Sequence, residues 1–228
     1  MDKIIAKLTG KQNFKLSKNL PISYVIRKGY IYLLGLLRGF IKGVGIKKHG
    51  KHLYIGRKTK LINQKNIHIA NNVRIENFVI IDALSKRGVT LGNRVKLGDG
   101  TRILCSGSLT DLGEGLTVGD DSSFSENTFF GAAGGISIGN DVIAGQNVRF
   151  HAENHNYHNK EIPIRLQGVN RKGIKIGNNV WIGSGAVFLD GAEVGDGCVV
   201  GAEALVTGKF EENSILVGIP AKKVGTRI

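Results

Sequence analysis

Cysteine, proline and aromatic residues are all scarce in this chain. Two cysteines among 228 residues, Cys105 and Cys198, cannot staple a secreted scaffold. No CxxC spacing points to a metal, and a reducing cytosol is the expected compartment. Three prolines against 33 glycines exclude a collagen-like or proline-rich chain. The glycines instead call for many positions where a Cβ would be in the way. Aromatics make up 7%, so a core built around Phe and Trp is not expected. Long apolar runs are missing too. The stretch from Gly29 to Leu37 is nine residues between Lys28 and Arg38, well short of the roughly 20 that cross a bilayer. No small-residue cleavage site follows it, which excludes a signal peptide. There is no Walker sequence and no GxGxxG after a strand, so neither a P-loop nor a dinucleotide site is expected.

Acidic residues are nearly absent from the first quarter. Residues 1–60 hold 15 Lys/Arg and one acid, Asp2, while the rest carries 17 of each sign; the whole net charge of +14 therefore sits in an N-terminal arm. A neutral body argues against nucleic-acid binding by that body.

What the chain has in abundance is a period of six. From Ile176 an apolar residue returns at Ile182, Phe188, Val194, Val200 and Val206. The same register runs earlier through Ile69, Ile75, Ile81, then Leu91, Leu97, Ile103, then Val118, Phe124, Phe130, then Ile138, Ala144, Phe150. Four residues after most anchors stands a small or β-branched residue, as at Val73, Val95, Val142, Ala186 and Ala204. Six fits neither the 3.6 of a helix nor the simple alternation of one strand. It fits a short strand and a tight turn, three of which make one triangular coil. Anchors then point into the prism, and the Gly, Asn or Asp after each anchor is expected to take the bend in a left-handed conformation. The register breaks at 82–88, 104–115, 132–137 and 151–173. Stacked parallel coils make a solenoid whose ends need caps.

At this point the sequence resembles a family. The stretch "IKIGNNVWIGSGAVFLDGAEVGDGCVVGAEALVTGKFEENSILVGIPAKKV" is similar to the C-terminal half of the hexapeptide-repeat acyltransferases. The loop before it, "ENHNYHNKEIPIRLQG", resembles that of bacterial polysaccharide and lipopolysaccharide sugar O-acetyltransferases and of maltose and galactoside acetyltransferases. The resemblance covers roughly 54–228 and implies a left-handed parallel β-helix, homotrimeric, with active sites between subunits. The left hand comes from the resemblance alone, since crossovers in general prefer the right hand. The expected layout is a basic, partly helical arm over 1–53, a β-helix over 54–207 carrying the loop 151–173, and a C-terminal tail over 208–228.

The resemblance also assigns residues. His155, followed by Asn-Tyr and eight residues later by Pro163, aligns with the catalytic histidine. An imidazole with a pKa near 6.5 suits removal of a hydroxyl proton at neutral pH. His151 and His158 are expected to be structural or to contact the acceptor. Where many polysaccharide enzymes read D-H-x-H, this chain reads Ala152-Glu153-Asn154-His155, which leaves Glu153 as the candidate to orient the imidazole. Asn127 matches an acceptor-pocket asparagine, with a plain turn role as its alternative. Trp181 is expected to point outward beside the cleft, because Val180 and Ile182 take the inward positions. For acetyl-CoA, the resemblance implies backbone amides of Gly183, Ser184 and Ala202 on the pantetheine, Thr207 further along, and Lys209, Lys222, Lys223 and Arg227 near the phosphates. Cys198 falls at a small-residue position, where it serves as a compact hydrophobe.

The expected function is acetyl transfer from acetyl-CoA to a sugar hydroxyl in surface-polysaccharide or glycolipid synthesis, without a metal. N-acetylation of an amino sugar is the alternative within the family. Two further classes are a zinc enzyme like the gamma-type carbonic anhydrases and an inactive scaffold. The three loop histidines could bind zinc, but their spacings of four and three do not match those anhydrases. The arm reads either as a helix on an anionic membrane surface at the cytoplasmic face or as one packed on the solenoid or a neighbouring subunit through Gly35, Gly39 and Gly43.

Overall fold

The computed structural model describes residues 15–17, 19–108 and 110–228. Its strands stack into three flat faces. The first runs from Lys48–His49 to Lys209–Phe210, the second from Tyr54–Ile55 to Ser214–Val217, and the third from Lys60–Ile62 to Leu205–Val206. Within each of these runs the neighbours are parallel and in register. On the first face Ile69, Leu91, Val118, Ile138, Ile176 and Val194 stand directly above one another. Every anchor of the six-residue period is buried, and so are the small residues four positions on. The chain is a left-handed parallel β-helix. Its parallel ladder begins at Lys48 and continues through Leu216, beyond both ends of the expected body.

Two sequence expectations change in the structure. The first concerns the turns. The residue after the anchor is glycine for lack of room, not for its φ: a Cβ on Gly92 would lie 2.7 Å from the carbonyl carbon of Gly119, and one on Gly139 2.7 Å from that of Gly177. The left-handed residue stands two places later, at Asn72, Arg94, Asp121, Asp141 and Asn179, with φ between 54° and 59°. Between the two, an Asn or Asp side chain reaches back to the preceding coil. The Oδ1 atoms of Asn93, Asp120, Asn140, Asn178 and Asp196 accept from the backbone N–H of Asn71, Asn93, Asp120, Asn140 and Asn178 at 2.7–3.1 Å. This ladder satisfies amides that the flat strands leave open. It also holds the Asp196 carboxyl below its ordinary range through the N–H groups of Asn178.

The second concerns the core. Aliphatic residues fill most of it, yet four phenylalanines form a column inside the fourth to sixth coils. Phe150 stacks on Phe130 at 5.0 Å and on Phe188 at 4.8 Å, and Phe124 meets Phe130 edge-on. Low aromatic content thus concealed a local aromatic core. Cys105 and Cys198 are free and buried in the prism; burial pushes the Cys105 thiol up to about 12.

Both ends are capped. Coil N–H groups donate onward to the next coil (Tyr54 to Val73 O, Lys60 to Val79 O), so carbonyls of the first coil are left on the N-terminal edge. A 22-residue helix, α1, over Ile22–Gly43, lies along that edge. Arg38 Nε donates to Ile55 O at 2.8 Å and Lys42 Nζ to Thr59 O at 2.6 Å. Gly39 lets the helix backbone approach Leu53, because a Cβ there would collide with the Leu53 carbonyl. Among the described residues no helix is long and apolar enough to cross a membrane. At the other end, Lys222–Thr226 turns back antiparallel on Ser214–Val217, so the expected tail is a closing strand.

Candidate active site

All four breaks in the period leave the solenoid at one corner, between the third face and the first. The longest is the 152–173 excursion. Its two arms pair antiparallel, Asn154 with Asn170 and His155 with Val169. Gln167 ties its tip together, accepting from Asn159 N at 3.1 Å and donating to the carbonyls of Asn159 and Ile162 at 2.7 Å.

Its base is fixed by two residues that the sequence reading did not single out. Asp190, only 8% exposed, accepts from the backbone N–H of Lys172 at 2.8 Å and of Gly173 at 2.7 Å. Asn154 Nδ2 approaches the same carboxylate at 3.5 Å. Arg171 donates to Glu153 Oε2 at 2.7 Å and pairs with Asp111 at 3.0 Å, which ties the loop to the 105–115 excursion below. Asp190-Gly191 reads in sequence as an ordinary turn dipeptide, and Arg171 as one more loop cation. Only the stacking of excursions at a shared corner gives them a role.

His155 thus sits on a hairpin fixed at both ends, its ring exposed and without a hydrogen bond among the described residues. An imidazole so presented can take a proton from a hydroxyl brought to it. Glu153, expected to orient that ring, is instead engaged with Arg171. His151 lies at the end of strand Arg149–His151, its ring 5.3 Å from that of Phe129. Burial, with the nearby Arg149 charge, lowers its pKa below the ordinary 6.5. His158 is exposed at the loop tip against Tyr157. Among the described residues no group of three His, Cys, Asp or Glu is placed to hold a metal ion, so the three histidines do not form a ligand set within the chain.

The lowered pKa of His151 carries a sign. The unfolded chain takes up this proton first, so the stability held above the ordinary histidine pKa is lost as pH falls below about 6.5. Replacing His151 by Phe is expected to flatten the fall in thermal midpoint between pH 7 and pH 5. An equally steep fall in the variant assigns that pH dependence to other groups.

The remaining expected residues are spread over other parts of the prism. Asn127 occupies the left-handed turn position, φ 58°, at the corner between the second and third faces, where its N–H bonds Asp99 O. Trp181 points outward from the second face, 60% exposed, between Ile143 and Val199. The Gly183 amide is engaged in the ladder, donating to Val200 O at 2.7 Å, and is not open to a ligand. Ser184 and Ala202 differ. On this corner the Oδ1 atoms of Asn77 and Asp99 cap the amides of Arg57 and Asn77. The amides of Ser184 and Ala202 make no such bond among the described residues. Exposed Thr207 stands at the other end of the third face, after Val206. Lys209 lies on the first face, paired with Glu193 at 3.0 Å. Lys222 and Lys223 lie on the closing strand of the second face, so the structure does not join the three lysines in one cluster. Arg227, after that strand, bonds Gly197 O at 3.4 Å.

The bacterial transferase hexapeptide profile (six repeats) matches residues 173–208, the two coils that begin where the excursion ends. Over those two coils the chain carries the hexapeptide repeat. It is 25% identical over 187 residues to dTDP-4-amino-4,6-dideoxy-D-glucose acyltransferase of Escherichia coli, covering 82% of this chain and 85% of that one. It is 34% identical over 90 residues to the galactoside O-acetyltransferase of E. coli K12, covering 39% and 43%. The chain spans less than half the length of several of the relatives that it matches. Among solved structures, the N-acyltransferase AntD of Bacillus cereus, in complex with dTDP and 3-hydroxybutyryl-CoA, shares the fold. It has a TM-score of 0.57 and 22% identity, with 84% and 88% of the two chains covered.

Proposed function

We propose that this hexapeptide chain transfers an acyl group, acetyl from acetyl-CoA, to a hydroxyl of a sugar used in surface-polysaccharide or glycolipid synthesis. The observation that carries this reading is His155, held unpaired on a clamped hairpin directly before the hexapeptide coils. His155 takes the hydroxyl proton as the oxygen attacks the thioester carbonyl. The tetrahedral adduct then collapses, the C–S bond breaks, and the departing thiolate takes the proton back from the imidazolium. The open amides of Ser184 and Ala202 suit the pantetheine arm, with Thr207 beyond them. Lys222 and Lys223 suit the phosphates as exposed cations of the closing strand. Gly183 drops out of the donor set, and Lys209 stands apart from it.

The third face separates His155 from the corner that carries Asn127, Ser184 and Ala202. A second copy, offering its own corner to the hairpin, completes a site that one prism leaves divided; this supports a homotrimer with sites between subunits. A second reading is N-acylation of a nucleotide-linked amino sugar. It is favoured by the match to the E. coli dideoxy-aminosugar enzyme along most of both chains.

The test is incubation with acetyl-CoA and a panel of nucleotide- and lipid-linked sugars, following release of the CoA thiol. An acetylated product cleaved by mild alkali is an ester and supports the first reading. An alkali-stable amide supports the second. No thiol release with any acceptor overturns both and leaves a scaffold, or a zinc enzyme if zinc co-purifies stoichiometrically.

A further inference from the structure

One surface has no part in acyl transfer. Helix α1 turns its glycine face and two of its cations inward, and its opposite face is apolar. Ile22, Ile26, Leu33, Leu37, Phe40 and Val44 recur at helical spacing along that face, each more than half exposed. A contiguous apolar stripe of this length is rarely left bare in a soluble monomer. The first coil, which the helix caps, carries the exposed cations Lys47, Lys48, Lys51, Arg57, Lys58 and Lys60. No acidic residue occurs between Asp2 and Glu76.

The charge decides the occupant. Two copies meeting through this face would bring two cation rims together with no acid between them. An anionic bilayer offers what the rim lacks, with apolar chains under a sheet of phosphates. We propose that the N-terminal end of the solenoid is a membrane-docking surface. The outer face of α1 lies at the boundary between headgroups and acyl chains of an anionic lipid leaflet, and the first-coil cations lie against the phosphates. Coils are about 4.8 Å apart. The hairpin bearing His155 leaves the fifth coil, about 20 Å above the first, and so stands over the lipid surface instead of within it. This inference does not rest on the acyl-transfer reading, because its readout is lipid binding.

The experiment is flotation of the full chain with vesicles of phosphatidylglycerol and phosphatidylcholine, against phosphatidylcholine alone. The full chain is expected to float with the anionic vesicles only and to be released by high salt, which shortens the electrostatic reach to about 3 Å at 1 M. The triple variant Leu33→Gln, Leu37→Gln, Phe40→Gln removes apolar area at three side chains that are each more than half exposed. Its partitioning onto anionic vesicles is expected to drop at least about 100-fold. Orientation is read by fluorescence. Trp introduced by Phe40→Trp is quenched by brominated phosphatidylglycerol, whereas the native Trp181, in the sixth coil, is not. Three results would overturn the proposal: no flotation of the full chain, equal flotation of the triple variant, or quenching of Trp181 in the native chain. A triple variant that sediments as a smaller assembly with unchanged lipid binding also overturns it, by making a second copy the occupant.

Discussion

Replacing His155 by Ala is expected to lower kcat at least about 10²-fold, within the range that loss of a general base costs, while KM for acetyl-CoA stays near the native value. The split follows from the geometry. The hairpin is held by backbone pairing to Val169, by Gln167 at its tip, and by Asp190 and Arg171 at its base, none of which uses the imidazole. Removing the ring therefore takes away the proposed proton acceptor and leaves the loop in place. The open amides proposed for the donor, at Ser184 and Ala202, lie on another corner and are untouched. Initial rates with a competent acceptor, together with acetyl-CoA titration, measure both quantities. Near-native kcat in this variant would move the base to His151 or His158.

How much of this was legible in the sequence differs between fold and site. The prism could be read because each of its constraints recurs. An inward side chain every sixth residue and a small residue four later are demands that seven or eight parallel strands per face impose again and again. One exception, such as Ala144 among the anchors, cannot hide them. The turn chemistry was half legible. Gly, Asn and Asp cluster there for three separate reasons: close approach at Gly92, capping of the coil below at Asn93, and left-handed backbone at Asn72. Composition alone merges these into one bend. The phenylalanine column was missed because nine Phe in 228 residues look sparse until four of them fall on adjacent coils.

The site was legible only where a residue carries its chemistry by itself. His155 stands out as an imidazole in a loop. Glu153 could be suspected, but its partner could not be chosen, because Arg171 lies across the hairpin and only folding sets the two side by side. Gly183 failed for a similar reason: whether a backbone amide is open depends on the next coil. The same dependence explains why Ser184 and Ala202 are open. The chain places no carboxamide above them, whereas Asn77 and Asp99 close the same corner in earlier coils. The arm was read as two alternatives, membrane helix or packing helix, and α1 has a face for each. Its glycines and inward cations cap the first coil, and its apolar stripe is left over.

Asp190→Ala is expected to lower the thermal midpoint and to reduce kcat per folded molecule by about 10²-fold, the penalty that a displacement near 1 Å can exact on a positioned group. The carboxylate is the acceptor for two backbone N–H groups, those of Lys172 and Gly173, where the descending arm of the hairpin rejoins the solenoid. Alanine leaves both donors unpaired, at about 1–3 kcal/mol for each that stays buried. Asp190→Asn retains one acceptor oxygen but turns an amide N–H toward the donors, so it should fall between the native chain and the alanine variant. The role expected of Asp190 is positioning, through the arm that pairs Asn154 with Asn170 and His155 with Val169. A merely structural role would lower the midpoint and the yield of folded protein, yet leave kcat per folded molecule intact. A positioning role lowers kcat at temperatures well below the midpoint, with KM for acetyl-CoA unchanged. Melting curves and kcat from the same preparations separate the two. Full activity of the folded alanine variant would show that the hairpin holds His155 without Asp190, leaving Gln167 and the Arg171–Glu153 pair as its restraints.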